Sequence, residues 1–207
     1  MSYSLLLWVP ISLYTIAAWP QILTNYRRKD ASGLSHWMLF LRLTAISTYT
    51  LYVYLLDLPL AHKVLYPLCL ASMTLLAIQG YQYSRNRSEL RLLRFAYGKL
   101  LVMLGVLVFI GSAYPVKAGM LAGWCAVVCG LWSDMPQIYR NWRRKSTQGF
   151  NILFASAIGF GGITDLTLSL LFGLPLPTVL ATTRVTVCYL IYVMQFLLYG
   201  NRMPQNS

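Results

Sequence analysis

Charged residues are scarce in this chain of 207 residues: they make up 11% of it, against about 25% in a typical soluble domain. Because 57% of the residues are hydrophobic, the chain has too little polar surface to face water on all sides. Apolar runs of roughly 20 residues, the length that crosses a bilayer, recur along the sequence. We therefore expect an integral membrane protein rather than a soluble domain.

Acidic residues are scarcer still, with 5 Asp and Glu against 17 Lys and Arg, which gives a formal charge of +12. The basic residues lie mostly in short clusters between the apolar runs, which is typical of loops on the cytoplasmic side. A strongly basic chain can bind nucleic acid, but no soluble basic domain is present to do so. Nucleic acid is therefore not an expected partner.

Histidine and cysteine are also few, at 2 and 4 residues. All four cysteines fall inside apolar runs without a CxxC pair, so we interpret them as small buried side chains rather than a disulfide framework. No HExxH, GxSxG or acidic metal cluster is present. The sequence predicts no catalytic residue, no metal and no cofactor, and hence no enzyme.

Seven membrane spans are predicted, over residues 3–25, 35–56, 61–83, 92–113, 116–139, 151–172 and 176–199. Basic clusters follow spans one, three, five and seven, and an odd number of spans puts them all on one side. By the positive-inside rule that side is the cytoplasm, so the N-terminus is expected outside and the C-terminus inside. The short loops and tails favour a bacterial inner membrane over a lysosome.

A duplicated segment organises the chain. Residues 20–29 resemble residues 136–145, and the register continues without a gap to Gly33 and Gly149. The copies are four spans apart, an even number, so they have the same orientation in the membrane. We therefore predict an all-α fold of two parallel three-helix repeats, residues 1–83 and 116–200. A linker helix within residues 84–115 joins them (3+1+3), and a tail follows at 201–207.

The two copies resemble the PQ-loop superfamily, which includes SWEET-type and cystinosin-like transporters. Each copy has a Pro-Gln pair near a helix end, then Asn, an aromatic residue, Arg-Arg-Lys and Gly. Trp19, Pro20 and Gln21, with the later Gly161 and Gly162, resemble the cystinosin-like branch most closely. At two places where that branch typically has Asp, this sequence has Gly159 and Tyr189. Cystine and the proton route of that branch are therefore not carried over.

The resemblance implies a membrane transporter that moves a small polar solute by alternating access. An amino acid or a related metabolite is the expected solute, and proton coupling is left open. A SWEET-type sugar transporter and a non-transporting receptor of KDEL-receptor type stay as alternatives, the receptor on analogy of fold alone. The expected partners are the solute and the lipid bilayer, with a homo-oligomer left open.

The Pro-Gln pairs are candidate hinges. Pro20 and Pro136 each remove a backbone donor from a predicted helix. In a membrane the freed carbonyl groups must find partners within the protein, and the amides of Gln21 and Gln137 are expected to supply donors at that level. Two prolines in equivalent helices of a duplicated unit favour hinges over static kinks.

Charged side chains within the spans are further candidates, because a charge at the bilayer centre costs at least about 2.5–3.5 kcal/mol. Asp165 and Arg184 are predicted at similar depth in neighbouring spans, as an ion pair. Arg42 and Asp134 are predicted as a second pair, for gating or for structure. Alternatively, these groups bind a charged or zwitterionic solute, or Asp165 carries a coupling proton. The other candidates for solute or proton binding are polar side chains of the spans: Thr48, Thr164, Tyr189 and Gln195.

Overall fold

The computed structural model describes residues 6, 8–31, 33–83, 87–174 and 176–200. The helices in these ranges are α1 Trp8–Arg28, α2 His36–Leu55, α3 Leu60–Gln82, α4 Arg87–Ala113, α5 Pro115–Ser133, α6 Met135–Arg144, α7 Ile152–Leu171 and α8 Leu176–Tyr199. The predicted tail at 201–207 and the first residues of predicted span one lie outside the described residues.

The predicted spans correspond to these helices with one correction. The last span has the predicted bounds, and most other ends move by a few residues, since helix ends are hard to place from sequence. The fifth predicted span is wrong as a single helix: it is α5 and α6, separated at Asp134. Pro136 lies in the first turn of α6 and lacks the N–H that would continue α5. By contrast, α1 passes through Pro20 without a break.

The helices have the length and composition of membrane spans. Within the part of the chain that the structure describes, six helical segments qualify: α2, α3, residues 94–113 of α4, α5 together with α6, α7 and α8. The second half of α1 is more polar, because it carries Gln21, Asn25 and two arginines. Large apolar side chains face outwards, such as Phe109 and Leu197, which are 79% and 81% exposed. The chain is a multi-pass membrane protein.

The helix boundaries repeat at a constant offset of 116 residues, as at His36 and Ile152, where α2 and α7 begin (152 − 36). Other equivalent boundaries obey the same offset: Leu55 and Leu171, Leu60 and Leu176, Arg28 and Arg144. The duplication therefore extends beyond the Pro-Gln segment, and a residue of the first half can be matched with the one 116 positions later.

Helix contacts between the two halves come in equivalent pairs. In the first half, α3 packs against both α1 and α2, and in the second half α8 packs against α5 and α7. Between the halves, α2 packs against α5 and α1 packs against α7, and the offset of 116 converts one of these contacts into the other. Helix α4 contacts α2 and α5, one helix from each half.

The two halves also meet at the loops that follow the duplicated segment. We call the end of the bundle where α1 and α6 end the motif end, and the other end the opposite end. A Cβ atom on Gly33 would lie 2.3 Å from the carbonyl carbon of Gly149, and one on Gly149 would lie 2.8 Å from the Cα of Gly33. Gly149 also has a φ of +83°, which favours glycine. The loops can cross this closely only with glycine at both positions.

We expect Gly33→Ala to destabilise the protein by about 1–3 kcal/mol or more, because the added methyl group meets backbone that cannot move aside cheaply. Thermal unfolding of the purified protein in detergent measures the loss. Gly98→Ala and Gly105→Ala in α4 are matched controls, since nothing lies within 4 Å of a Cβ at either position. An unfolding temperature for Gly33→Ala equal to that of the controls would contradict the tight crossing.

Candidate functional site

The glutamines of the Pro-Gln pairs bind across the boundary between the halves. The side-chain nitrogen Nε2 of Gln21 donates to the carbonyl oxygen of Gly149 at 3.0 Å, and its Oε1 accepts from the backbone N–H of Asn151 at 2.8 Å. Gln137 repeats the arrangement: its Nε2 donates to Gly33 O at 3.0 Å, and its Oε1 accepts from the N–H of Ser35 at 2.7 Å. Both glutamine side chains are buried.

These contacts correct the expected role of Gln21 and Gln137. Their amides were predicted to satisfy carbonyl groups freed by the neighbouring prolines, but they bind the loop of the other half instead. Ser35 and Asn151 are the N-cap residues of α2 and α7, whose backbone N–H groups need partners outside the helix. The glutamines therefore fix where the second helix of the other half begins. The hinge role of Pro20 and Pro136 stays a prediction.

A cavity of about 140 Å³ lies between the two halves, lined by α1, α2 and α3 from one and by α5, α7 and α8 from the other. Its wall is mostly apolar, with a few polar and charged groups, which is typical of ligand sites. A void of about 150 Å³ can hold a molecule the size of benzene. Three charged side chains line it: Arg42, Asp165 and Arg184.

Two of these side chains share one aspartate. Arg42 from α2 binds Oδ1 of Asp134, and Nη1 of Arg184 from α8 lies 2.6 Å from Oδ2. The hydroxyl of Tyr192 donates to Oδ1 at 3.0 Å. Asp134 is 1% exposed, so its charge must be compensated inside the protein. Two arginines against one carboxylate leave this cluster with a surplus positive charge beside the cavity.

The ion pair predicted between Asp165 and Arg184 is wrong, because Arg184 binds Asp134. Nη1 of Arg184 also donates to the carbonyl oxygen of Gly130 at 2.8 Å and to Oγ of Ser133 at 3.0 Å. A Cβ on Gly130 would lie 3.5 Å from Nε of Arg184, which is ordinary van der Waals contact. The arginine therefore lies over the backbone of α5 and points towards the motif end. The predicted pair of Arg42 and Asp134 is present.

Asp165 occupies the side of the cavity nearer the opposite end and is 2% exposed. Its Oδ2 accepts a long hydrogen bond of 3.4 Å from the hydroxyl of Tyr14. Its Oδ1 is buried and has no hydrogen-bond partner among the described residues. A buried carboxylate with a free acceptor oxygen on a cavity wall is suited to bind a donor group of a solute, or a proton.

Three polar residues that the sequence did not single out also line this side: Tyr49, Tyr66 and Thr178. The hydroxyl of Tyr49 lies 3.5 Å from Oγ1 of Thr178, and its ring centroid lies 4.5 Å from that of Tyr66. The offset of 116 could have identified Tyr49, because it is the equivalent of Asp165. To find this equivalence in the sequence, the duplication has to be followed beyond the Pro-Gln segment along the full length of α2 and α7.

The remaining sequence candidates lie outside the cavity lining. Thr48 and Thr164 donate to carbonyl groups of their own helices, Thr44 O and Phe160 O. Nε2 of Gln195 donates to Ile138 O. These contacts are structural, and a role of Thr48, Thr164 or Gln195 in solute binding stays a prediction without support from the cavity.

Tyr189 and Gly159, the two departures from the cystinosin-like branch, lie against each other. A Cβ on Gly159 would be 2.1 Å from the ring of Tyr189, so the ring fills the space that the glycine leaves. The two departures are therefore coupled by packing, since a larger residue at 159 requires a smaller one at 189.

Among the residues that the structure describes, no group of three or more potential metal ligands is found.

Comparison with known proteins identifies a family and a relative. A family model described as the PQ loop repeat matches residues 3–62 and 118–178, so each match contains one Pro-Gln pair. Cystinosin of Drosophila melanogaster is 27% identical to this chain, over 70% of this chain and 42% of the relative. The chain thus spans about two fifths of the length of that relative.

The two buried aspartates are expected to differ in their contribution to stability. Asp134→Asn removes the charge that compensates Arg42 and Arg184, and breaking a buried pair in this way costs about 3–5 kcal/mol. Asp165→Asn keeps the shape of a side chain that has one long hydrogen bond, so its unfolding temperature should stay close to the wild-type value. Thermal unfolding in detergent measures both. Equal losses in the two variants would show that Asp165 is also a structural group.

Proposed function

The chain belongs to the PQ-loop repeat family, and from that premise we propose that it transports a small polar solute by alternating access through the cavity between its two halves. Family membership supports a membrane transporter of small solutes in general. The observation that carries the proposal is the placement of Asp165, Arg42 and Arg184 on the cavity wall. Charges inside a membrane are costly, and their concentration beside one cavity indicates a pathway rather than a packed core.

An amino acid or a closely related small metabolite is the solute that we propose. The surplus positive charge at Arg42 and Arg184 suits a carboxylate, and the free Oδ1 of Asp165 suits an ammonium group. The volume of about 140 Å³, close to that of a void that holds benzene, suits one of the smaller amino acids, whereas a hexose has twice as many non-hydrogen atoms as benzene.

For the transport step we propose that two parallel repeats of three spans, α1–α3 and α5–α8, rock against each other while α4 joins them; α5 and α6 together form one span. The cavity lies between these units, so a change in their angle opens it to one side of the membrane at a time. The motif end is proposed as the cytoplasmic side, because the basic clusters of α1 and α6 lie there. Asp165 is proposed as the site of proton coupling.

Uptake of radiolabelled small amino acids into proteoliposomes tests the proposal, with a proton gradient applied or absent. We expect Asp165→Asn to lose most of its uptake and the pH dependence of what remains, because the neutral amide can neither pair with an ammonium group nor carry a proton. Asp57→Asn is the matched control, since Asp57 is an exposed partner of Lys63. Binding of an amino acid without uptake would indicate a receptor, and unchanged pH dependence in Asp165→Asn would exclude Asp165 as the coupling site.

The hinge role of the prolines is tested separately. Pro20→Ala restores one backbone hydrogen bond in α1, which contributes about 0.5–1.5 kcal/mol, so a hinge there would stiffen and transport would slow by up to about tenfold. Pro136→Ala tests the second copy. Pro115→Ala is the control, because Pro115 begins α5, where its missing N–H leaves no bond unmade. Wild-type transport rates in both motif variants would show that the prolines form static kinks.

A further inference from the structure

The second half of the protein contains a chain of three amide side chains that ties α6 to α8. Nε2 of Gln137 donates to Oδ1 of Asn141 at 2.8 Å, and Nδ2 of Asn141 donates to Oε1 of Gln195 at 3.0 Å. Nε2 of Gln195 then donates to Ile138 O at 2.9 Å. All three side chains are buried, and every link of this chain is made.

The first half carries the same three residues 116 positions earlier, but one link is missing. Nε2 of Gln21 donates to Oδ1 of Asn25 at 2.8 Å, and Nε2 of Gln79 donates to Ile22 O at 3.2 Å, as in the second half. Nδ2 of Asn25 and Oε1 of Gln79 are the donor and the acceptor of the middle link. Both atoms are buried, and neither has a hydrogen-bond partner among the described residues.

A buried donor and a buried acceptor without partners are unfavourable, and here they are complementary. In the second half Gln195 contacts Ile138 and Asn141 at the same time, so its equivalent Gln79, which already contacts Ile22, is placed to reach Asn25 when α1 and α3 shift relative to each other. The same half differs in a second way, because α1 is continuous at Pro20 while its counterpart is broken at Asp134. The two halves, alike in sequence at these positions, are therefore in different local conformations.

We propose that the pairs Asn25–Gln79 and Asn141–Gln195 form a two-state switch. In the conformation described here the second pair is closed and the first is open, and in the alternate conformation the first closes and the second opens. The number of hydrogen bonds is conserved in the exchange, so the two conformations stay close in free energy, as a protein that visits both requires. The switch rests on the proposed function only in assuming two conformations, and it requires no particular solute.

Distance measurements without solute test the switch. Spin labels are attached at Leu60→Cys and Leu171→Cys, exposed positions at the opposite end, after the four natural cysteines are replaced. The two positions are not equivalent, because the distance between equivalent positions would stay the same when the halves exchange conformations. Gln195→Met removes the Asn141–Gln195 hydrogen bond and so destabilises the conformation described here. Gln79→Met removes the Asn25–Gln79 hydrogen bond and so destabilises the alternate conformation, and the change of side chain is the same in both halves. Since one hydrogen bond is at stake, worth about 0.5–1.5 kcal/mol, the ratio of the two distance populations should shift by roughly 2- to 10-fold, in opposite directions. The double variant should return to the wild-type ratio.

Shifts in the same direction, or no shift in either folded variant, would overturn the switch. A second measurement uses the wild-type chain and does not depend on variants that fold. With asparagine labelled at the side-chain nitrogen, the NMR signals of Asn25 and Asn141 should exchange between a bonded and an unbonded environment. Two static, different environments would also overturn it. Because neither measurement contains solute, the switch can hold while the proposed transport fails, and the reverse.

Discussion

The reciprocal contact between the halves at the motif end is the interaction on which the rest of the structure depends. Gln21 and Gln137 each hold the loop of the other half through one donated and one accepted hydrogen bond, and Gly33 and Gly149 let the loops touch. Both glutamine side chains, together with Gly33 and Ser35, are buried, where an unmade hydrogen bond is expensive. The contact therefore fixes where α2 and α7 begin, and with them the side chains that face the cavity.

The buried charges divide into a structural set and an available group. Asp134 is fully engaged by Arg42, Arg184 and Tyr192, so its carboxylate serves to hold α2, α5 and α8 together. Asp165 has one long hydrogen bond and a free oxygen. The difference follows from the surroundings of each carboxylate, because both are aspartates inside helical spans of a membrane protein.

The cavity wall is where the two halves, otherwise arranged alike, differ in residue type at equivalent positions. Asp165 is the counterpart of Tyr49. Tyr14, whose hydroxyl donates to Asp165, is the counterpart of Gly130, whose carbonyl oxygen accepts a hydrogen bond from Arg184. The contacts at the motif end keep the same residue types in both halves, as with Gln21 and Gln137. The cavity wall instead places an acid and a phenol on one side and two arginines on the other, so a polar solute meets different groups at its two ends.

The sequence by itself determined the membrane class, the helical spans and the duplication, because apolar run length and a repeated motif are local properties of the chain. It also indicated Asp165, Arg42, Arg184 and Asp134 as unusual, since a charge within an apolar run is visible without a fold. Which of these charges pair was decided only by the tertiary structure. Arg184 binds Asp134 because the packing of α8 against α5 brings together two residues that lie 50 positions apart.

The role of the glutamines was likewise decided by the tertiary structure. The sequence predicts that the amide of Gln21 binds a carbonyl group freed by the neighbouring Pro20. Its partners in the other half are instead Gly149 and Asn151, which only the crossing of the two loops brings near. A one-dimensional pattern shows which residues are repeated. The physical reason that it does not show their partners is that a long-range hydrogen bond depends on the relative position of two helices, and that position is set by the packing of the whole bundle.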